Sequence, residues 1–283
     1  MTAIRVWHNG HLAPEAETHL AVNDRGLLLG DGLFATMLAR NGHIVRLERH
    51  IMRLAEGAAV MKIPLPFDTH TLAAAAHETL RANGLSSAPR ASLRMTLTRG
   101  TGPRGLALPA TSQPTLIISA AEAPPAPDGI AVTISSVKKL AASPASALKT
   151  LNYTDHVMAR LDVDATGMTE ALMRSAAGGI ACATIGNVFV ITGNRLLTPP
   201  DDGAIRAGVT RNDVLALARG MGLEVVEAEL SVDALKAADE IFLTNALWGI
   251  CPVTSIGSGA RAVGATTKKL AQALDAAWAS DFS

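Results

Sequence analysis

Residues 121–129, Ala-Glu-Ala-Pro-Pro-Ala-Pro-Asp-Gly, limit what this chain can fold into more than any other stretch. Proline has no amide hydrogen and fixes its own φ. Three prolines in four residues (Pro124, Pro125, Pro127) therefore continue neither a helix nor a central strand. The segment reads as an interdomain linker. It separates a smaller N-terminal α+β domain over 1–120 from a larger C-terminal α/β domain over 130–283, and a chain of 283 residues has ample core for both.

On the N-terminal side, Asn9-Gly10 and Asn41-Gly42 each lie between short apolar runs and predict hairpins closed by type I′ turns. Leu47, Ile51, Leu54 and Ala58 recur at helical spacing, predicting a helix from Arg46 to about Met61. A second helix is predicted from Asp68 or Thr69, either a good N-cap, to Ala82, with Asn83-Gly84 as its stop. Strands are expected over 91–98 and 115–119. Beyond the linker the pattern mixes: a strand over 130–137, a helix over about 152–164, strands near Ala171 and over 187–191, a helix over 210–221, strands over 223–228 and 240–243, and an amphipathic helix from near Thr266. Strands first, then strands mixed with helices, give two α+β domains.

Composition excludes several function classes. Formal net charge is zero, which argues against nucleic acid or an anionic membrane as partner. Hydrophobic residues at 48% against 18% charged describe a folded globular chain rather than a disordered one. Cys182 and Cys251 cannot make a disulfide framework and stand in no metal-ligand spacing. The most apolar stretch, 175–192, is broken by Gly178, Gly179, Gly186 and Asn187, so strands fit it better than a membrane span. The start of the chain lacks the basic-then-apolar pattern of a signal peptide, and a cytoplasmic enzyme is the expectation.

Four features can carry chemistry. Lys149 stands between Leu148 and Leu151. Taken alone, a lysine in a Ser/Ala-rich loop is a solvated charge, but an apolar setting lowers a lysine's pKa and frees its amine as nucleophile and base. Arg53, on the first predicted helix, either pairs with Glu48 or Glu56 or offers a guanidinium fork to phosphate oxygens. Gly208-Val209-Thr210-Arg211 runs into a predicted helix, where start-of-helix amides and a hydroxyl suit phosphate, although any N-cap looks like this. Arg99 and Arg104 sit in a Gly/Pro loop, as solvated charges at a hairpin tip or as carboxylate ligands.

Several motifs fall together: Asp24-Arg25-Gly26, Gly30-Asp31-Gly32-Leu33-Phe34, His50-Ile51-Met52-Arg53-Leu54, Lys149-Thr150-Leu151-Asn152 and Gly208-Val209-Thr210-Arg211. Jointly they resemble the fold-type IV pyridoxal-phosphate (PLP) enzymes, which include branched-chain and D-amino-acid aminotransferases and 4-amino-4-deoxychorismate lyase. The resemblance runs from about Asn9 to Val253. It implies that Lys149 holds PLP as a Schiff base and moves the substrate α-proton, and that Tyr153 meets the cofactor's phenolate oxygen. It gives the phosphate to Arg53, Val209 and Thr210, with Thr244, Asn245 and the following amides closing the cup. It assigns a substrate carboxylate to Arg99 or Arg104. It also implies a homodimer with the site between the two domains and near the partner subunit.

At Cys182 the chain departs from the pattern. The family has a glutamate, a few small residues, then Asn-apolar-Phe; Asn187-Val188-Phe189 matches the anchor, but the glutamate position falls on Cys182. A carboxylate there keeps the pyridine nitrogen protonated, so that the ring accepts electrons after α-proton loss. A neutral thiol does this poorly, while a thiolate of lowered pKa would do better. Three readings follow. The ring works with an unprotonated nitrogen, which disfavours full transamination and tolerates elimination better. A carboxylate from elsewhere in the fold reaches in, Glu170 matching a different family position. Or the fold is kept and the usual chemistry, even the cofactor, is lost.

Within the family the aminodeoxychorismate lyases look nearest, because Gly30-Asp31-Gly32-Leu33-Phe34-Ala35-Thr36, Arg99-Gly100-Thr101-Gly102-Pro103-Arg104-Gly105 and Asn245-Ala246-Leu247 resemble their motifs. That implies conversion of 4-amino-4-deoxychorismate to 4-aminobenzoate and pyruvate on the folate route. The alternatives are an aminotransferase of a branched-chain or D-amino acid, and a PLP-free relative of the same fold.

Overall fold

Asn9 and Gly10 take φ of 44° and 105°, and Asn41 and Gly42 take 50° and 84°, the positive-φ pairs that type I′ turns require. In the computed structural model, which describes residues 3–281 except 142, 202 and 204, these turns join β1 (Arg5–His8) to β2 (His11–Pro14). After the short α1 (Arg25–Leu29), the second turn joins β3 (Gly32–Arg40) to β4 (His43–Ile44). Then come α2 (Leu47–Val60), α3 (Thr69–Ala82), β5 (Ala91–Thr98) and β6 (Thr115–Glu122). The strands form an antiparallel sheet in the order β2-β1-β6-β5-β3-β4. Asp68 caps α3 as expected, its carboxylate accepting from Thr71 N at 2.7 Å. α2 instead starts from Arg46 at φ +53° with no side-chain cap, and β6 runs two residues into the expected linker.

Side-chain alternation divides this sheet. Leu33, Met37, Leu93, Met95, Leu97, Leu116 and Ile118 join Ile51, Leu54 and Ala58 of α2 and Leu72, Ala76 and Leu80 of α3 in one core. The opposite face carries Phe34 across from Thr96 and Thr36 across from Arg94.

The second set of elements is β7 (Ile130–Lys139), α4 (Pro144–Ala147), α5 (Thr154–Thr166), β8 (Glu170–Ser175), β9 (Gly178–Ala183), β10 (Asn187–Thr192), β11 (Arg195–Thr198), α6 (Val209–Gly220), β12 (Glu224–Glu227), α7 (Val232–Ala237), β13 (Glu240–Asn245), β14 (Gly249–Ile256), β15 (Gly259–Ala260) and α8 (Ala265–Ser280). The sheet order is β12-β11-β10-β13-β14-β7-β8-β9, with β15 beside β14. β7 runs parallel to both β8 and β14, and β11 parallel to β12. The Gly-broken apolar stretch forms β9, a turn and β10. Among the described residues no helix is long and apolar enough to cross a membrane.

The chain divides into two compact units, Met1–Pro125 with Leu148–Asn152, and Ala126–Ala147 with Tyr153–Ser283. The segment carrying Lys149 thus counts with the first unit.

Candidate active site

In the first unit, 148–152 lies along the start of β3. Phe34 N donates to Lys149 O and Leu151 N donates to Gly32 O, each at 2.9 Å. Two glycines permit the approach. A Cβ on Gly32 would stand 2.4 Å from Leu97 O and 2.7 Å from Leu151 Cδ1, and Gly30 takes φ +65° against the Asn152 backbone. Lys149 Nζ lies 4.2 Å from the centroid of the Phe34 ring. The guanidinium carbon of Arg94 lies 3.7 Å from the same centroid. Two cations therefore bear on one aromatic ring, an arrangement that favours an anion arriving beside them.

Under this group, α2 carries Arg53, half-buried, and His50 one turn before it, which is 3% exposed. Burial first, then the charges of Arg53 and Lys149, depress the His50 pKa to about 3, so the imidazole is neutral. Its Nδ1 is buried without a hydrogen-bond partner among the described residues.

Arg99 departs from its expected role. Its Nε and Nη2 donate to Asp31 at 2.8 and 3.1 Å, Nη2 also to Met61 O at 2.8 Å, and Nη1 to Lys62 O at 2.9 Å. Arg25 takes the same carboxylate through Nε at 2.8 Å, and its Nη1 donates to Gly105 O and Ala107 O. Burial alone would raise the Asp31 pKa, but the hydrogen bonds from Arg99 and Arg25 outweigh it and hold the carboxyl below its ordinary value. Arg99 is 4% exposed and is committed to folding the loop onto Asp31, whereas Arg104 is exposed in that loop. Arg94 was not among the expected residues. Only the β3–β5 register, which no local pattern reveals, places it beside Phe34.

In the second unit, Val209 and Thr210 open α6, which has no side-chain cap. Asn187 Nδ2 donates to Arg206 O at 3.0 Å, and a Cβ on Gly208 would stand 2.5 Å from Asn187 Oδ1, so the chain before α6 is held close to β10. Thr244, across from Asn187 on β13, is 1% exposed and its hydroxyl has no partner among the described residues; Arg206 Nε is likewise buried without one among them. Orphaned donors near a helix start suit a phosphate, so this set fits the phosphate end of PLP. The Asn245 side chain serves the adjoining turn instead, Oδ1 accepting from Leu247 N and Trp248 N at 2.9 and 2.8 Å. Those two amides are thus already taken.

Tyr153 precedes α5, and its ring stacks on His156 with centroids 4.2 Å apart. His156 Nδ1 lies 2.6 Å from Thr184 O, and Nε2 lies 3.4 Å from Lys139 Nζ. A carbonyl only accepts, so Nδ1 carries the proton and Nε2 accepts from the ammonium.

Cys182 pairs with Met173 across β8–β9 and packs with Ala159, Ile205 and Val137. Burial pushes its thiol up to about 11, against the opposing charges of Lys139 and Arg206, so it is no thiolate. Glu170 does not reach it. Leu172 pairs with Ala183, and Glu170, two residues before Leu172, shares that other face of the sheet. There Glu170 Oε1 accepts from Ala171 N (2.8 Å), Thr184 N (3.1 Å) and the Thr184 hydroxyl, bracing the β9–β10 turn.

The sequence profile of the family described as Amino-transferase class IV matches residues 32–256. The chain belongs to this family. A Methanocaldococcus jannaschii protein with a provisional branched-chain-amino-acid aminotransferase name is 34% identical over 94% of each chain. The 4-amino-4-deoxychorismate lyase of Pseudomonas aeruginosa superposes with a TM-score of 0.84 at 32% identity, covering 96% of this chain and 98% of that one. A T.th. branched-chain amino acid aminotransferase, solved with pyridoxamine 5'-phosphate, superposes with a TM-score of 0.88 at 25% identity over 97% and 94%. The architecture is the two-domain α+β fold of fold-type IV enzymes.

Proposed function

We propose that this protein is a PLP-dependent aminotransferase of an α-amino acid, of the branched-chain or D-amino-acid kind. The observation that carries the reading is the shared Phe34 ring, with the Lys149 amine and the Arg94 guanidinium both against it. A substrate carboxylate arriving near Lys149 then has Arg94 as a second cation held on the same ring. When bound, PLP supplies the electron sink and carries the amino group. Lys149 attaches the cofactor and moves the α-proton, while the Phe34 face holds the amine in place. Neutral His50 adds no third positive charge beneath it. Val209, Thr210, Thr244 and Arg206 of the second unit hold the phosphate, and Tyr153 of the same unit meets the ring oxygen.

The Arg-Gly-x-Gly-x-Arg-Gly motif weighs less toward a lyase once Arg99 is seen bound to Asp31, and the M. jannaschii and T.th. relatives add to the transferase reading. A second reading, aminodeoxychorismate lyase, is favoured by Cys182, because an elimination driven by aromatisation tolerates a weaker electron sink.

The test is to reconstitute the protein with PLP and assay L-branched-chain amino acids and D-alanine with 2-oxoglutarate, alongside 4-amino-4-deoxychorismate. Transfer to 2-oxoglutarate is expected, with the cofactor fixed to Lys149 by borohydride. Arg94→Leu should raise KM by roughly 2- to 5-fold, as for losing one side of an exposed charge pair. Release of 4-aminobenzoate without amino transfer would overturn the transferase reading in favour of the lyase.

A further inference from the structure

We infer that the second unit presents a basic wall, formed by Cys182, Lys139, His156 and Arg206, to the cofactor ring and keeps its pyridine nitrogen unprotonated; this rests on the PLP reading above. Four elements build the wall. β9 contributes Cys182, packed with Met173, Ala159, Ile205 and Val137. β7 contributes Lys139, 5% exposed. α5 contributes His156, whose Nε2 faces the Lys139 ammonium at 3.4 Å. The segment leading into α6 contributes Arg206, whose charge acts on Cys182.

The groups of the wall itself act in the same direction. The charges bearing on Cys182 are the cations Lys139 and Arg206 and the carboxylate of Glu170, and Glu170 lies across the sheet with Oε1 engaged by Thr184 and Ala171. Two cations oppose a third positive charge on the ring. A thiol carries an S–H donor, which pairs with the lone pair of an unprotonated nitrogen and has nothing to offer a pyridinium. His156 adds no acid, because its one proton is held by the Thr184 carbonyl. Burial keeps the sulfur protonated and removes the remaining source of negative charge. An unprotonated ring is the weaker sink, so this site should run amino transfer more slowly than the same site with a carboxylate at 182, while leaving the proton chemistry of Lys149 in place.

The experiment is 15N NMR of the holoenzyme reconstituted with ring-15N-labelled PLP, for wild type, Cys182→Ser and Cys182→Glu. The labelled nitrogen is expected at the free-pyridine position in wild type and Cys182→Ser, and at the pyridinium position in Cys182→Glu. The Cys182→Glu half-reaction should be roughly tenfold faster or more, about 1.4 kcal/mol. A pyridinium signal in wild type overturns the inference whatever the variants do. Cys182→Glu that binds cofactor yet stays unprotonated overturns the assignment to this wall. Failure of the wild type to bind labelled PLP overturns the function proposed above, and the inference with it. Bound cofactor with a protonated nitrogen overturns the inference alone.

Discussion

His50 holds a neutral imidazole beneath two cations, and the cost of that appears in acid. Its folded pKa is depressed from 6.5 to about 3, so the unfolded chain takes up the proton first. Stability is complete above pH 6.5 and falls as pH drops from there toward about 3, by at most about 5 kcal/mol. Urea titrations across this range should show that loss, and His50→Gln should flatten it. Glu170 has the opposite sign. Burial raises its pKa despite the hydrogen bonds from Thr184 and Ala171, so its contribution is present below the ordinary value of 4.5 and is lost as pH rises through the raised one. Glu170→Ala strands the Thr184 and Ala171 donors and should cost about 1–3 kcal/mol at neutral pH, measured by the same titration. Lys149, Arg53 and Thr210 stand inside short consecutive motifs, which is why sequence alone can single them out as candidates. Arg94 was not legible there, because its contact with Phe34 depends on strands 60 residues apart in the chain pairing in one register. Nor was the commitment of Arg99 to Asp31 legible, since a loop arginine in sequence carries no sign of its acceptors.

Elements with strong local signals are where the sequence reads best. α3 matches its expected span because the Asp68 cap and the Asn83-Gly84 stop are chemical, and Asp68→Ala should cost about 1 kcal/mol in equilibrium unfolding. α1 and α7 escaped notice, at 5 and 6 residues too short to show a helical period. β3 is the element on which the first unit's chemistry hangs, and Gly32 is its close point. Gly32→Ala drives a methyl into Leu97 O and the Leu151 side chain, so the 148–152 segment must shift. The expected result is a protein with near-native circular dichroism whose borohydride-fixed cofactor falls severalfold at matched PLP concentration.

At the scale of the molecule, composition marks only one break, the proline segment; the first unit's main stretch ends at Pro125. Composition gives no sign that 148–152 returns to the first unit, because five residues pairing with the edge of β3 have no periodicity of their own. Cofactor binding should stabilise the folded protein by mass action. At a hundredfold excess over Kd the gain is about 2.7 kcal/mol, or roughly 5–10 °C in Tm by scanning fluorimetry, and Lys149→Ala should lose a large part of it.

The return of 148–152 also sets an order of events on the ribosome. When Pro125 has been added, the backbone N–H of Phe34 and the carbonyl of Gly32 still await Lys149 and Leu151, 24 and 26 residues away in the chain. At translation speeds of about 5–20 residues per second that interval lasts roughly 1–5 s. Through it the nascent first unit carries its arginines but not yet Lys149. Within the first unit Lys149 is laid in last, so a chain stalled before it has the sheet and its arginines without the amine that attaches the cofactor.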